Sequence, residues 1–259
     1  FASDGFSLGA GGNENSATNI VGWCWKETAT AGFDIVTYTG NATDDTDISH
    51  SLSAVPHVII IKNRDQGTGY NWRVYHHKNT SAPETDRLNL NDTNATHDSD
   101  TYWSDEAPTS SVFTLGTDSS LNGNTHAHVA YLWSEKQGFS KFGSYTGNGN
   151  ADGPFIYTGF RPAYVIRKRT DSTGAWLIQD NKRPGSNRVL ANSLPTNQNV
   201  LRANDSSAEE YNNELDILSN GFKCRATDTF GNASGGTYIY AAFAEAPFVN
   251  SKGVPCNAR

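Results

Sequence analysis

A chain of 259 residues with a net charge of −7, an apolar share of 36% and no methionine excludes several classes of protein. It lacks the clustered Lys and Arg that a phosphate backbone requires, so nucleic acid is not an expected partner, and no apolar run is long enough to cross a bilayer as a helix, so membrane insertion is not expected. Asn, Thr, Ser, Gly and Asp crowd around aromatic and β-branched residues, the usage of short strands joined by polar turns.

The first residues read as strand, turn and strand, from GFSLG through a Gly/Asn-rich loop to NIVGWCWKE. The same succession returns in VFTLGTDSSLNGNTHAHVAYLWSEK and in GFKCRATDTFGNASGGTYIYAAFAEAP, where an F-x-L or F-x-C strand and a polar loop lead to an alternating strand with Glu near its end. Repetition of this kind is the signature of a duplicated unit. Because translation starts at Met, residue 1 is expected to be a cut, and residues 1–27 the end of a preceding repeat that donates a strand to the first module.

A first module is expected over 28–135, with strands at 33–39, 47–52, 57–63, 70–77, 86–90, 111–116 and 125–134. A second follows over 136–247, with strands at 139–146, 154–158, 163–169, 175–180, 188–191, 215–224 and 236–245, and 248–259 form a tail. GFDIVTYTGN and AVPHVIIIKNRDQGTGYNWRVYHHKN are answered by GFSKFGSYTGN and FRPAYVIRKRTDSTGAWLIQDNKR, which aligns Pro56 with Pro162, Lys62 with Lys168 and Trp72 with Trp176. Their spacing of roughly 107 residues is a single-domain length. Period-two alternation between turn residues predicts an all-β fold of tandem antiparallel β-sandwich modules from an internal duplication. One stretch, SSAEEYNNELDIL, can hold a helical turn capped by a serine.

Trp23 and Trp25, two residues apart on an extended segment, are expected to share one face. Tyr70, Trp72, Tyr102 and Trp103 are the candidate ligand-binding residues, because a sugar-stacking platform needs exposed rings. The acidic loops holding Asp44, Asp45 and Asp47, and Asp92, Asp98 and Asp100, carry the hard oxygen ligands that calcium takes, although neither fits an EF-hand loop and a solvated turn explains them as well. His126 and His128 face one way on a strand, as two metal ligands would, whereas His76 and His77 face opposite ways. No motif or paired carboxylates single out a catalytic centre, so an enzyme is not expected. Cys24 and Cys224 are read as core residues, and Cys24, Cys224 and Cys256 lack the spacing of a zinc or redox motif.

Taken together, YTGN, ISHSL with a nearby Pro, VIIIKNR, an Asn-Trp strand, SDGFSLG and VGWCWK resemble a repeat domain of unknown function found in virion structural and tail proteins of marine and cyanobacterial tailed phages. That domain is similar to concanavalin-like lectin sandwiches. The resemblance spans nearly the whole chain, departing from the pattern at the insert APETDRLNLNDTNATHDSDTYWSDEAP and at FIYTG. It implies jelly-roll or concanavalin-like modules in a non-enzymatic virion structural protein: a tail fibre, a tail-associated protein or a capsid-decorating appendage. Other virion proteins and further copies of itself are then the expected partners, at the extracellular virion surface. A lectin-like module binding host surface glycan is the alternative. No catalytic residues accompany the resemblance, and calcium is the one cofactor to test.

Overall fold

The computed structural model describes residues 5–9, 20–67, 69–182, 198–211 and 215–245. Its first half carries β1 (Phe33–Thr39), β2 (Thr46–Ser49), β3 (Val58–Asn63), β4 (Arg73–His76), β5 (Asp86–Asn89), β6 (His97–Asp98), β7 (Val112–Leu115) and β8 (Ala127–Trp133). A one-turn helix, α1 (Ser119–Asn122), starts where the Asp118 side chain accepts from the Ser120 N–H. The second half carries β9 (Ser140–Thr146), β10 (Phe155–Tyr157), β11 (Tyr164–Arg169), β12 (Leu177–Asp180), β13 (Gln198–Arg202), β14 (Glu210–Tyr211), β15 (Leu215–Leu218), β16 (Gly221–Cys224) and β17 (Thr237–Phe243).

The fold is all-β, as expected, and its paired strands run antiparallel. One six-stranded sheet is ordered β1-β8-β3-β4-β5-β6, beside a two-stranded sheet β2-β7; the other is ordered β14-β13-β12-β11-β17-β9, beside a three-stranded sheet β10-β16-β15. Counted from β1 and from β9, the large sheets meet their strands in the same succession. The strand expected over 215–224 is two, because Leu218 pairs with Gly221 and closes a hairpin around Ser219 and Asn220. The helical turn expected in the adjoining stretch is absent among the described residues, which form β14 and β15 instead. The expected strand at 188–191 and the tail at 248–259 lie outside the described residues.

Each large sheet is covered on both faces. Ile59 and Ile61 of β3 join Tyr75, Phe113, Leu115 and Leu132 in the core against the small sheet, whereas Val58 and Ile60 pack with Phe142, Ile166, Ala241 and Phe243 of the second large sheet. A strand buried on both faces reads as a continuous apolar run, and VIIIK in β3 is such a run. In β17, Tyr240 and Ala242 face their own small sheet, and Ile239, Ala241 and Phe243 face the first half. Val74, Leu88 and Trp176 extend this contact, and each large side chain so buried contributes about 1.5–3 kcal/mol. The two halves therefore share a core.

The recurring motifs build matching joints. Tyr38 stacks on His128 at 5.0 Å and donates to the Leu121 carbonyl at 2.6 Å; Tyr145 stacks on Tyr238 at 4.9 Å and donates to the Gly231 carbonyl at 2.8 Å. Buried Asn122 donates to the Thr43 and Gly116 carbonyls and accepts from the Asn41 N–H, as buried Asn232 does with Asn150, Ala226 and Asn148. The motif glycines fit because a Cβ on Gly40 or Gly147 lies 2.3 Å from the carbonyl of Gly123 or Ala233. Lys62 donates to the Tyr70 carbonyl and Lys168 to the Gly174 carbonyl.

Residues 20–27 are irregular, and no strand there joins the first large sheet, whose β1 pairs with β8. Burial still alternates: Val21, Trp23 and Trp25 turn inward while Ile20, Gly22, Cys24 and Lys26 are exposed. The expected common face of the two tryptophans is present. Cys224 is buried as expected but Cys24 is exposed, because among the described residues no second layer covers its side of the segment. Cys256 lies outside the described residues.

Candidate functional site

The four candidate aromatic residues do not form one platform. Tyr102 and Trp103 are 5% and 1% exposed, which corrects the expectation of an exposed pair. Trp103 packs edge-on against Tyr75 and donates Nε1–H to the Asp86 carbonyl at 2.8 Å. The Tyr102 hydroxyl meets His97 Nδ1 at 2.9 Å, with the guanidinium groups of Arg73 and Arg87 near its ring. The insert brings its own aromatic residues into the core, where their polar atoms find partners. Tyr70 and Trp72 are half-buried; Trp72 stacks on Tyr131 and Tyr70 meets His126 edge-on.

The acidic loops do not converge either. Asp44 accepts from the Ser104 hydroxyl and Asp47 from the Thr114 hydroxyl, each at 2.9 Å. Asp45 sits in a left-handed turn at φ 54°. Asp92 holds Asn89 and the Asn94 N–H, Asp98 lies opposite Asp86 in the β5–β6 pair, and Asp100 accepts from Ser99. Among the described residues no group of three or more His, Cys, Asp or Glu side chains is arranged to hold a metal ion. His126 and His128 have ring centroids 6.5 Å apart, and Nδ1 of each is engaged, by Asn63 and by the His126 carbonyl respectively.

The histidines that gather are His57, before β3, His76, ending β4, and His77 after it. Ring centroids are 4.5 Å apart for His57 and His77 and 5.5 Å for His76 and His77. His76 Nε2–H donates to the Tyr240 carbonyl at 3.1 Å and its Nδ1 accepts from the Lys78 N–H. His77 Nε2–H donates to the Phe142 carbonyl at 3.0 Å, and His57 Nδ1 accepts from the Glu135 N–H at 3.1 Å. Burial lowers the pKa of all three, of His76 to about 3 and of His77 to about 4. The Nδ1 acceptances of His57 and His76 require neutral rings, whereas the Nε2–H donations of His76 and His77, which cross between the halves, favour a charged ring but are outweighed by burial.

In the second half the same corner holds Ala163, Asp180 and Asn181. The His57 N–H donates to the Trp133 carbonyl and the His77 N–H to the His57 carbonyl, matched by Ala163 to Phe243 and Asn181 to Ala163. This corner opens on a cleft of about 890 Å³ whose wall includes Trp23, Trp25, Phe139, Tyr164 and Phe243. Trp25 lodges edge-on among Trp133, Tyr164 and Phe243 at 5.4–6.2 Å between centroids. Trp23 meets Tyr164 edge-on and donates Nε1–H to Asp180 at 3.2 Å. Lys26, Lys136 and a Lys182–Glu245 ion pair supply charge at the rim. Half-exposed rings beside a few polar groups suit a ligand with apolar faces and hydroxyl edges. The shared face of Trp23 and Trp25 was the one sequence signal for this cleft.

The chain belongs to the DUF7483 family, a domain of unknown function, which matches residues 1–247. No curated protein and no solved structure matches the chain.

Proposed function

We propose that this member of the DUF7483 family is a non-enzymatic structural module of a tailed-phage particle. In this reading, two jelly-roll or concanavalin-like sandwiches, products of an internal duplication, stand at the extracellular virion surface in a tail fibre, a tail-associated protein or a capsid-decorating appendage. Its partners are other virion proteins and further copies of itself in a closed symmetric oligomer. The observation that carries the reading is the use made of the recurring motifs. Tyr38, Asn122 and Lys62, with Tyr145, Asn232 and Lys168, spend their polar atoms on the frame of each half, so what recurs is the scaffold. The shared core between the large sheets gives the stiffness an appendage needs. The test is mass spectrometry of purified particles with immunogold labelling: a fixed copy number at one position on the particle is expected, and absence from the particle overturns the role.

A second reading, host glycan binding, is favoured by the aromatic wall of the cleft. A glycan array and a host-cell binding assay, each with and without calcium, decide it. Saturable binding lost in Trp23→Ala and kept in Trp72→Ala places the ligand in the cleft, and no binding by the folded protein removes this reading.

A further inference from the structure

We infer that the cluster of His57, His76 and His77 is an acid-sensitive latch that holds the two sandwiches face to face at neutral pH and releases them on acidification. The inference is independent of the proposed role. The cluster lies where the end of β4 meets β9 and β17, and its two cross-half hydrogen bonds end on the backbone carbonyls of Phe142 and Tyr240. The His57 ring also stacks on Phe142, at 6.0 Å. Three imidazoles in van der Waals reach repel one another once charged, and protonation of His57 or His76 also destroys the Nδ1 acceptor that now takes the Glu135 or the Lys78 N–H.

The neighbouring charges are mixed. Lys78 follows β4 and Lys141 lies on β9, and both oppose a charged imidazole; Glu135, between β8 and β9, favours one but is engaged by the Lys141 ammonium at 2.7 Å and by the Phe142 N–H. From β17, Tyr240 presents its carbonyl. A metal does not explain the cluster, since His76 uses both ring nitrogens, His77 its Nε2 and His57 its Nδ1. That leaves at most two nitrogens, since the His57 ring also meets the Val55 backbone, fewer than the three protein ligands of a catalytic zinc site and the four of a structural one.

The direction follows from linkage. The folded-state pKa values lie below the ordinary 6.5, so docking is fully supported above that pH and weakens as pH falls toward about 4 and then about 3. For each histidine that regains its ordinary pKa on opening, the ratio of docked to open protein falls by up to about tenfold per pH unit below 6.5.

The test follows the full 259-residue chain from neutral pH to mild acid by near-UV and far-UV circular dichroism and small-angle scattering. A reversible loss of the near-UV aromatic signal and a larger radius, with the far-UV spectrum retained, are expected. The double variant His57→Ala/His77→Asn installs the residues that the second half carries at this corner, and is expected to move the midpoint down by about one pH unit or more. If that variant does not fold, His77→Gln, which keeps a donor for the Phe142 carbonyl, is expected to move it by a smaller amount in the same direction. No transition down to pH 4, simultaneous loss of near-UV and far-UV signals, or an unmoved midpoint in the folded variant overturns the latch.

Discussion

Two corresponding corners of the molecule end differently. At one, His57, His76 and His77 meet the backbone of β9 and β17 and the contact is closed. At the other, Ala163, Asp180 and Asn181 stand on a cleft, and Trp23, from an irregular segment, is hydrogen-bonded to Asp180. The backbone bonds that shape both corners are the same, so the difference lies in what covers them. A repeated frame fixes where a corner forms, and the residues placed on it decide whether that corner seals an interface or leaves an opening.

The strongest way to break this comparison is to truncate the two tryptophans that hold matching places. Trp72 and Trp176 each donate their backbone N–H to an asparagine side chain, at 2.9 and 2.8 Å. Trp176 is also 4% exposed, inside the contact between the large sheets, with its Nε1–H on the Asn89 carbonyl at 2.7 Å. Trp176→Ala is expected to cost about 3–5 kcal/mol in urea unfolding. Trp72→Ala, on a half-exposed ring stacked on Tyr131, is expected to cost roughly a third of that, because less area and no buried hydrogen bond is lost. Equal losses in the two variants mean that the contact between the halves adds little.

What was legible in the sequence, and what was not, divides along the same line. Strand positions followed from period-two alternation and from Gly, Asn and Pro turns, and the pairings of Lys62 with Lys168 and of Trp72 with Trp176 reappear as matching hydrogen bonds. The run VIIIK carried the information that β3 is covered twice, but a run does not name the surface that covers it. Tyr102 and Trp103 sit in a polar insert, and only tertiary packing folds that insert's rings inward. The cleft escaped notice because Trp23 and Asp180 are 157 positions apart, and no local pattern joins them. All seven histidines lie between positions 50 and 128, but which of them gather is not legible there, because the partners of the cluster are backbone groups that carry no residue signature.

A smaller effect sharpens the likeness of the two frames. Asn122 and Asn232 are fully buried and make the same kinds of bond. Asn122→Ala and Asn232→Ala are each expected to cost about 2–3 kcal/mol, since in either case the N–H of the last YTGN residue loses its acceptor and two carbonyls, those of Thr43 and Gly116 or of Asn150 and Ala226, lose their donor. Denaturation midpoints read by tryptophan fluorescence compare them directly. A difference larger than about 1 kcal/mol, beyond the usual context spread for a matched pair, means that the two turns are not equivalent supports.

The smallest effect concerns the open corner alone. Trp23→Phe keeps an aromatic ring against Tyr164, whose edge-on contact lies at 5.3 Å, and removes only the Nε1–H that reaches Asp180. The expected cost is about 0.5–1.5 kcal/mol, the net value of one partly exposed hydrogen bond, and it should appear first as faster amide exchange in residues 20–27, which lack a sheet to hold them. If the segment is instead held by Trp25 among Trp133, Tyr164 and Phe243, exchange there stays unchanged in Trp23→Phe and rises in Trp25→Ala. The two substitutions thus separate a clasp at the cleft mouth from an anchor at its base. That distinction matters for any ligand, because a clasp can open to admit one while the anchor keeps the segment in place.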